Sequence, residues 1–169
     1  MAGIRESIEN AVRYLSEHPD EARYTDSVAR AKLGDSLRVE VEGPSGERIV
    51  TDMPGGVGGR DEEPSPGWLF RAAIASCVAS TIAMEAAREE IALDALEVEV
   101  DSESDDRGIL GMDAGVPAGP LSTRVRIRAR SDAPDGGRLR EVLERGAGRC
   151  PVCDATKRSV DVTLQFETT

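Results

Sequence analysis

One histidine, His18, is present in 169 residues, so a metal site or a histidine-based catalytic triad has little to build from. Aromatic residues make up only 3% of the chain, and a core must therefore come from Ala, Val, Leu and Ile. The start, Met1-Ala2-Gly3-Ile4-Arg5-Glu6, is mixed and charged where a secretory leader is basic and then apolar. Residues 72–84 form the longest uncharged stretch, rich in Ala and Ser, and fall short of the roughly 20 apolar residues that span a bilayer. Positive charge is also scarce. With 21 Lys and Arg against 32 Asp and Glu, the formal net charge of −11 argues against nucleic acid or an anionic membrane as partner. The glycines of residues 54–66 are not followed by Gly-Lys-Ser/Thr, and Asp61, Glu62 and Glu63 would repel a phosphate. What remains is the expectation of a cytoplasmic chain, and its three cysteines, an odd number, read there as working thiols.

The chain is long enough for one domain with a real core, or two small intimately packed ones. Ile4, Ile8, Ala11, Val12 and Leu15 share one face of a helix over residues 3–17, closed by His18-Pro19. Residues 1–20 are thus a helical extension ahead of a domain over 21–169. Residues 22–31 are weakly strand-like. Leu37, Val39 and Val41 alternate with charge up to a turn at Gly43-Pro44-Ser45-Gly46, which predicts a β-hairpin. Ser65-Pro66 reads as the cap and first residue of a helix running to about Glu90. Between Trp68 and Ala87 only Arg71 and Glu85 interrupt its apolar surface, the pattern of a helix buried on every side. Its small residues would admit a second helix closely, its own copy in a dimer included.

Glu97, Glu99, Asp101 and Glu103 alternate with Val98 and Val100, and Arg124, Arg126, Arg128 and Arg130 with Val125, Ile127 and Ala129. An acidic and a basic strand should pair antiparallel, so the arginine row reads as charge complementation and not as a nucleic-acid stripe. A helix over residues 135–149, with Leu139, Val142 and Leu143 inward, leads to a short helix opened by Cys150-Pro151. Alternation of Val160, Val162, Leu164 and Phe166 predicts a final strand. Helices and strands in this order make an α+β fold.

Two thiol positions stand out. Cys77 sits about 16 Å along its helix from Pro66, beyond the reach of that helix's own dipole. A thiol attacks as the thiolate, so Cys77 needs a cation from a loop or strand. Arg60, in the glycine loop, is the tentative choice; Arg30, Arg38 and Arg48 are others. Cys150, at a helix start beside Arg149 and near Lys157 and Arg158, has the surroundings of a low-pKa thiol, and with Cys153 it forms a CxxC pair.

Ser65-Pro66-Gly67-Trp68-Leu69-Phe70 leading to Cys77, followed by Cys150-Pro151-Val152-Cys153, resembles the two signatures of the OsmC/Ohr family, the osmotically inducible and organic hydroperoxide resistance proteins. The resemblance covers roughly residues 35–167. It implies an antiparallel sheet packed around a long central buried helix, in an intertwined homodimer. It also implies a thiol-dependent peroxidase for organic hydroperoxides that uses no cofactor and is reset by an external dithiol. Cys77 matches the peroxidatic thiol and Cys150 the resolving one. Gly67 stands where many members carry a glutamate that orients the activating arginine, with Glu62 and Glu63 nearby as substitutes. Cys153 stands where the family has serine. Two other readings stay open: a CxxC thiol-disulfide protein using Cys150 and Cys153, and a stress or binding protein with little peroxidase activity.

Overall fold

Opposite charges at alternate positions bring two distant segments into register. In the structure, a computed structural model that describes residues 2–132 and 136–168, β4 (Ala95–Glu103) pairs antiparallel with β5 (Ser122–Arg130). Glu97 faces Arg128, Glu99 faces Arg126 and Asp101 faces Arg124. Arg128 reaches Glu99 at 2.8 Å and Glu97 at 3.1 Å, while Arg124 reaches Asp101 at 2.9 Å. Hydrogen bonds from Arg128 and Arg124 hold the Glu99 and Asp101 carboxyls below the usual range. These pairs are exposed and add little stability. Their work is specification, because a one-residue slip would set every charge on the wrong face.

The chain divides into two units, Glu6–Ala72 and Met1–Arg5 with Ala73–Thr169. The first holds most of α1 (Ala2–Glu17) and a three-stranded antiparallel sheet in the order β1 (Arg30–Leu33), β2 (Val39–Glu42), β3 (Arg48–Thr51). The β2–β3 hairpin forms as expected. Its loop is one residue tighter, since the Gly43 N–H donates to the Glu47 carbonyl at 2.9 Å and leaves Pro44, Ser45 and Gly46 as the loop. Gly46 takes φ +91°, a conformation glycine adopts without strain. Among the described residues the strands form two antiparallel sheets, one of three strands and one of two.

The second unit is organised by α2 (Pro66–Arg88), which begins in the first, and by α4 (Gly136–Gly148). Ser65 caps α2 as expected, its hydroxyl accepting the Trp68 N–H at 3.2 Å. Asp135, the expected start of α4, lies outside the described residues, as do Met1 and Thr169. Ala86, Ile91 and Val142 form the core where α2 ends against α4, with Leu93 and Leu139 packed on it. α2 ends by a Schellman turn: the Ile91 N–H reaches the Ala86 carbonyl at 2.9 Å and the Glu90 N–H reaches that of Ala87 at 3.3 Å. This turn needs a left-handed residue, and here Glu90 supplies it at φ 57°. Replacing Glu90 by glycine is expected to stabilise the protein by about 1 kcal/mol, read as a raised urea midpoint.

Burial departs from the sequence reading along α2. Ile74, Val78, Ile82, Glu85, Ala86 and Ala87 are buried, whereas Ala73, Ser76, Ser80 and Met84 are exposed on another face. Among the described residues α2 is the one helix long and apolar enough to cross a membrane, a property that the core helix of a folded domain shares. The expected last strand is absent. Residues 159–168 join no sheet, and Val160, Val162, Leu164 and Phe166 are exposed, Phe166 by 84%. Alternation alone makes a segment ready to pair; a strand needs a neighbour to accept its hydrogen bonds. One short helix, α3 (Asp106–Ile109), rises unforeseen in the loop between β4 and β5, where the Asp105 side chain caps it by accepting the Arg107 N–H at 3.1 Å.

Candidate active site

The second unit gathers the thiols. Cys150 precedes Pro151, whose fixed φ and missing N–H suit the first residue of a helix, and α5 (Pro151–Lys157) starts there. The Cys150 sulfur is its cap and accepts the Cys153 N–H at 3.3 Å. The next free N–H, that of Val152, and the Cys150 thiol both lie close enough to Cys77 on α2 to act on its sulfur. Two residues far apart in sequence, Cys77 and Cys150, are therefore brought into contact.

The cause is helix packing. α4 lies close on α2 at Gly146, where a Cβ would stand 2.6 Å from the Ile82 Cα. Glu85, two turns beyond Cys77, is 4% exposed, and its carboxylate accepts Arg145 at 2.8 Å and also Arg149. Arg145 continues to Glu89 at 2.9 Å. A buried carboxylate needs such partners, and here both come from the α4 end that delivers Cys150.

Burial dominates the electrostatics at Cys77. Burial pushes the Cys77 thiol up, the Val152 N–H acts in the opposite direction, and the Cys150 thiol pushes it further up. No cation is among these influences. Of the cations near Cys150 in sequence, Arg149 is turned to Glu85 and Arg158 to Asp154. Cys150 itself is 1% exposed, whereas Cys77 and Cys153 are half-buried.

Arg60 belongs to the other unit. Its backbone N–H donates at 3.0 Å to Asp52, a carboxylate only 2% exposed that also accepts from Met53 at 2.8 Å and Glu62 at 3.4 Å. Burial alone would raise the Asp52 carboxyl; the three N–H donors and the charge of Arg38 hold it below the usual range instead. Asp52 is thus the knot of the glycine loop, and Gly59 is pressed on the Met53 carbonyl so closely that no side chain fits there. In this unit Arg38 is paired with Glu63 at 3.1 Å. A cavity of about 240 Å³ lies against the hairpin, lined by Val28, Val41, Glu42, Arg48 and Ile49, and no cysteine lines it. Among the described residues no three His, Cys, Asp or Glu side chains converge as metal ligands would.

Sequence reasoning named Cys77, Cys150 and Cys153 and missed Val152, Glu85 and Gly146. Nothing local marks a backbone N–H as a thiol's partner. Glu85 did carry a signal, as the one acid in an apolar helix.

The family model described as OsmC-like protein matches residues 59–165. Solved structures share the fold. A Legionella pneumophila organic hydroperoxide resistance protein OsmC is 21% identical, with 82% of this chain and 94% of that one covered and a TM-score of 0.60. An OsmC-like protein from Mycoplasma pneumoniae is 14% identical over 81% of this chain and 91% of its own, with a TM-score of 0.67. The organic hydroperoxide resistance protein OhrB of Bacillus subtilis is 20% identical over 85% and 98%, with a TM-score of 0.52. Comparison with curated proteins gives no match.

Proposed function

The chain belongs to the OsmC-like protein family, and from that premise we propose that it is a thiol-dependent peroxidase that reduces organic hydroperoxides through Cys77 and Cys150. The observation that carries the reading is the closeness of these two thiols, brought from distant parts of the chain. The Cys77 thiolate attacks the terminal peroxide oxygen, the O–O bond breaks, and the alcohol leaves with a proton. Cys77 is then a sulfenic acid. The Cys150 sulfur attacks it, water leaves, and a Cys77–Cys150 disulfide forms. An external dithiol reduces that disulfide and completes the cycle. The names of the Legionella and Bacillus relatives, both organic hydroperoxide resistance proteins, support the substrate class.

At rest, burial favours the neutral Cys77 thiol, so the reading also needs a cation during turnover. Arg60 is the assignment made from sequence. Arg38, oriented by Glu63 at 3.1 Å, is the alternative with a fixed geometry. Homodimerisation belongs to the same proposal. The unpaired, alternating tail with exposed Val162 and Phe166 and the exposed small-residue face of α2 both support a second copy as the missing neighbour.

The test is a trap. Cys150→Ser protein treated with one equivalent of cumene hydroperoxide and a 1,3-dione is expected to carry one sulfenic acid adduct, at Cys77. Parallel Arg60→Ala and Arg38→Ala variants identify the activating arginine by slower labelling. An unlabelled Cys77 together with unconsumed peroxide would remove the proposal and leave the binding-protein reading. An unlabelled Cys77 beside oxidised Cys153 would shift the chemistry to the CxxC pair.

A further inference from the structure

Cys150 touches two thiol-bearing positions at once. Its sulfur lies beside the Cys77 thiol and accepts the Cys153 N–H at 3.3 Å. Cys150 and Cys153 are cap and third residue of α5, one helical turn apart, a separation within the Cα range that a disulfide spans. We infer that the three cysteines form a relay, in which a Cys77–Cys150 disulfide passes to Cys150–Cys153 and sets Cys77 free for another peroxide. This inference rests on the peroxidase reading and adds to it a place for the third thiol.

The step is a thiol-disulfide exchange. Cys153 loses its proton and its sulfur attacks the Cys150 sulfur in line with the Cys77–Cys150 bond. That bond breaks, the Cys150–Cys153 bond forms, and Cys77 leaves as a thiolate that takes up the proton. Nothing is oxidised or reduced overall; the oxidation delivered by the hydroperoxide moves from one sulfur pair to another. Cys77 and Cys153 need not meet, because Cys150 is common to both bonds. A dithiol reductant then reduces Cys150–Cys153, itself becoming the disulfide.

Burial gives the transfer a purpose. Cys150 is 1% exposed and closed to an external dithiol, while Cys77 and Cys153 are both half-buried, so the exchange adds a second half-buried position at which a dithiol can attack. The exchange also returns the peroxide-reactive sulfur to service before any reductant arrives. A serine at residue 153 would keep the backbone N–H that caps onto Cys150 and lose only this second exit.

The number of peroxides consumed without reductant tests the relay. Fully reduced protein, freed of dithiol, receives two equivalents of cumene hydroperoxide, one at a time, and its cysteines are mapped by alkylation and peptide mass spectrometry. The intact protein is expected to consume both rapidly, holding Cys150–Cys153 after the first and oxidised Cys77 after the second. Cys153→Ser is expected to consume only the first and to stop as Cys77–Cys150; its rapid first turnover shows that it is folded. An intact protein that also stops at one equivalent, with a lasting Cys77–Cys150 bond, overturns the relay and leaves the peroxidase standing. Failure of both proteins to consume any peroxide rapidly overturns the peroxidase reading and the relay with it.

Discussion

Replacing Cys77 by serine is expected to lower the rate of cumene hydroperoxide consumption on the order of 10³-fold or more, because one nucleophile carries the whole reaction. A serine hydroxyl at that place is neither ionised nor able to hold the transferred oxygen as a sulfenic acid. The fold should survive the change, since Cys77 is only half-buried and serine is slightly smaller. Intact protein has its own signature in this assay. Burial and the Cys150 thiol raise the Cys77 pKa, so the thiolate is the minor form at neutral pH. The rate of Cys77 oxidation should therefore climb with pH, about tenfold per unit while the thiol form dominates, and level off above the pKa. A pH-independent second-order rate across the neutral range would mean that a cation already holds the sulfur as thiolate before peroxide arrives. Full activity in the Cys77→Ser protein would place the chemistry at Cys150 and Cys153.

The second large effect is expected at a residue that touches no sulfur. Gly146→Ala should destabilise the protein by about 1–3 kcal/mol, seen in the urea midpoint, and slow formation of the Cys77–Cys150 disulfide. The added methyl would meet the Ile82 Cα at 2.6 Å and the Ile82 backbone N at 3.0 Å. Backbone inside α2 cannot swing aside as a side chain would, so α4 itself must retreat. Arg149 and Cys150 follow directly on α4 and would move with it, opening the thiol contact and loosening the hold on Glu85. Gly148→Ala is the control. It lies on the same helix with nothing within 4 Å of its added carbon, and should be neutral or slightly stabilising. Equal losses in the two variants would refute the account of Gly146 as the spacer.

How far the sequence could be read varied with the range of the interaction. Ser65 capping α2 and Cys150-Pro151 opening α5 were legible because a cap and its helix are a few residues apart. The β4–β5 pair was legible over a longer distance, since facing rows of Glu97, Glu99 and Asp101 against Arg124, Arg126 and Arg128 admit one register. Residues 159–168 show the opposite limit. Their alternation is as regular as that of β4, yet they join no sheet in the single chain, because a pattern specifies a face and not a partner. The α2 surface likewise reads as buried all round, while one chain covers only part of it. The pairing of Arg38 with Glu63 had no local mark at all.

By itself, then, the amino-acid order determined the α+β content, the helix and strand boundaries near their caps, the charge-coded sheet, and the identity of the thiols. Those follow from short-range periodicity, capping and side-chain chemistry. Tertiary structure alone decided that Cys77 meets Cys150, that the Val152 N–H lies beside it, and that Arg149 serves Glu85. Each of these depends on how closely α4 lies on α2, a distance set by the missing side chain of Gly146 against Ile82. Such a contact is a property of two packed surfaces, and no window along one segment contains it.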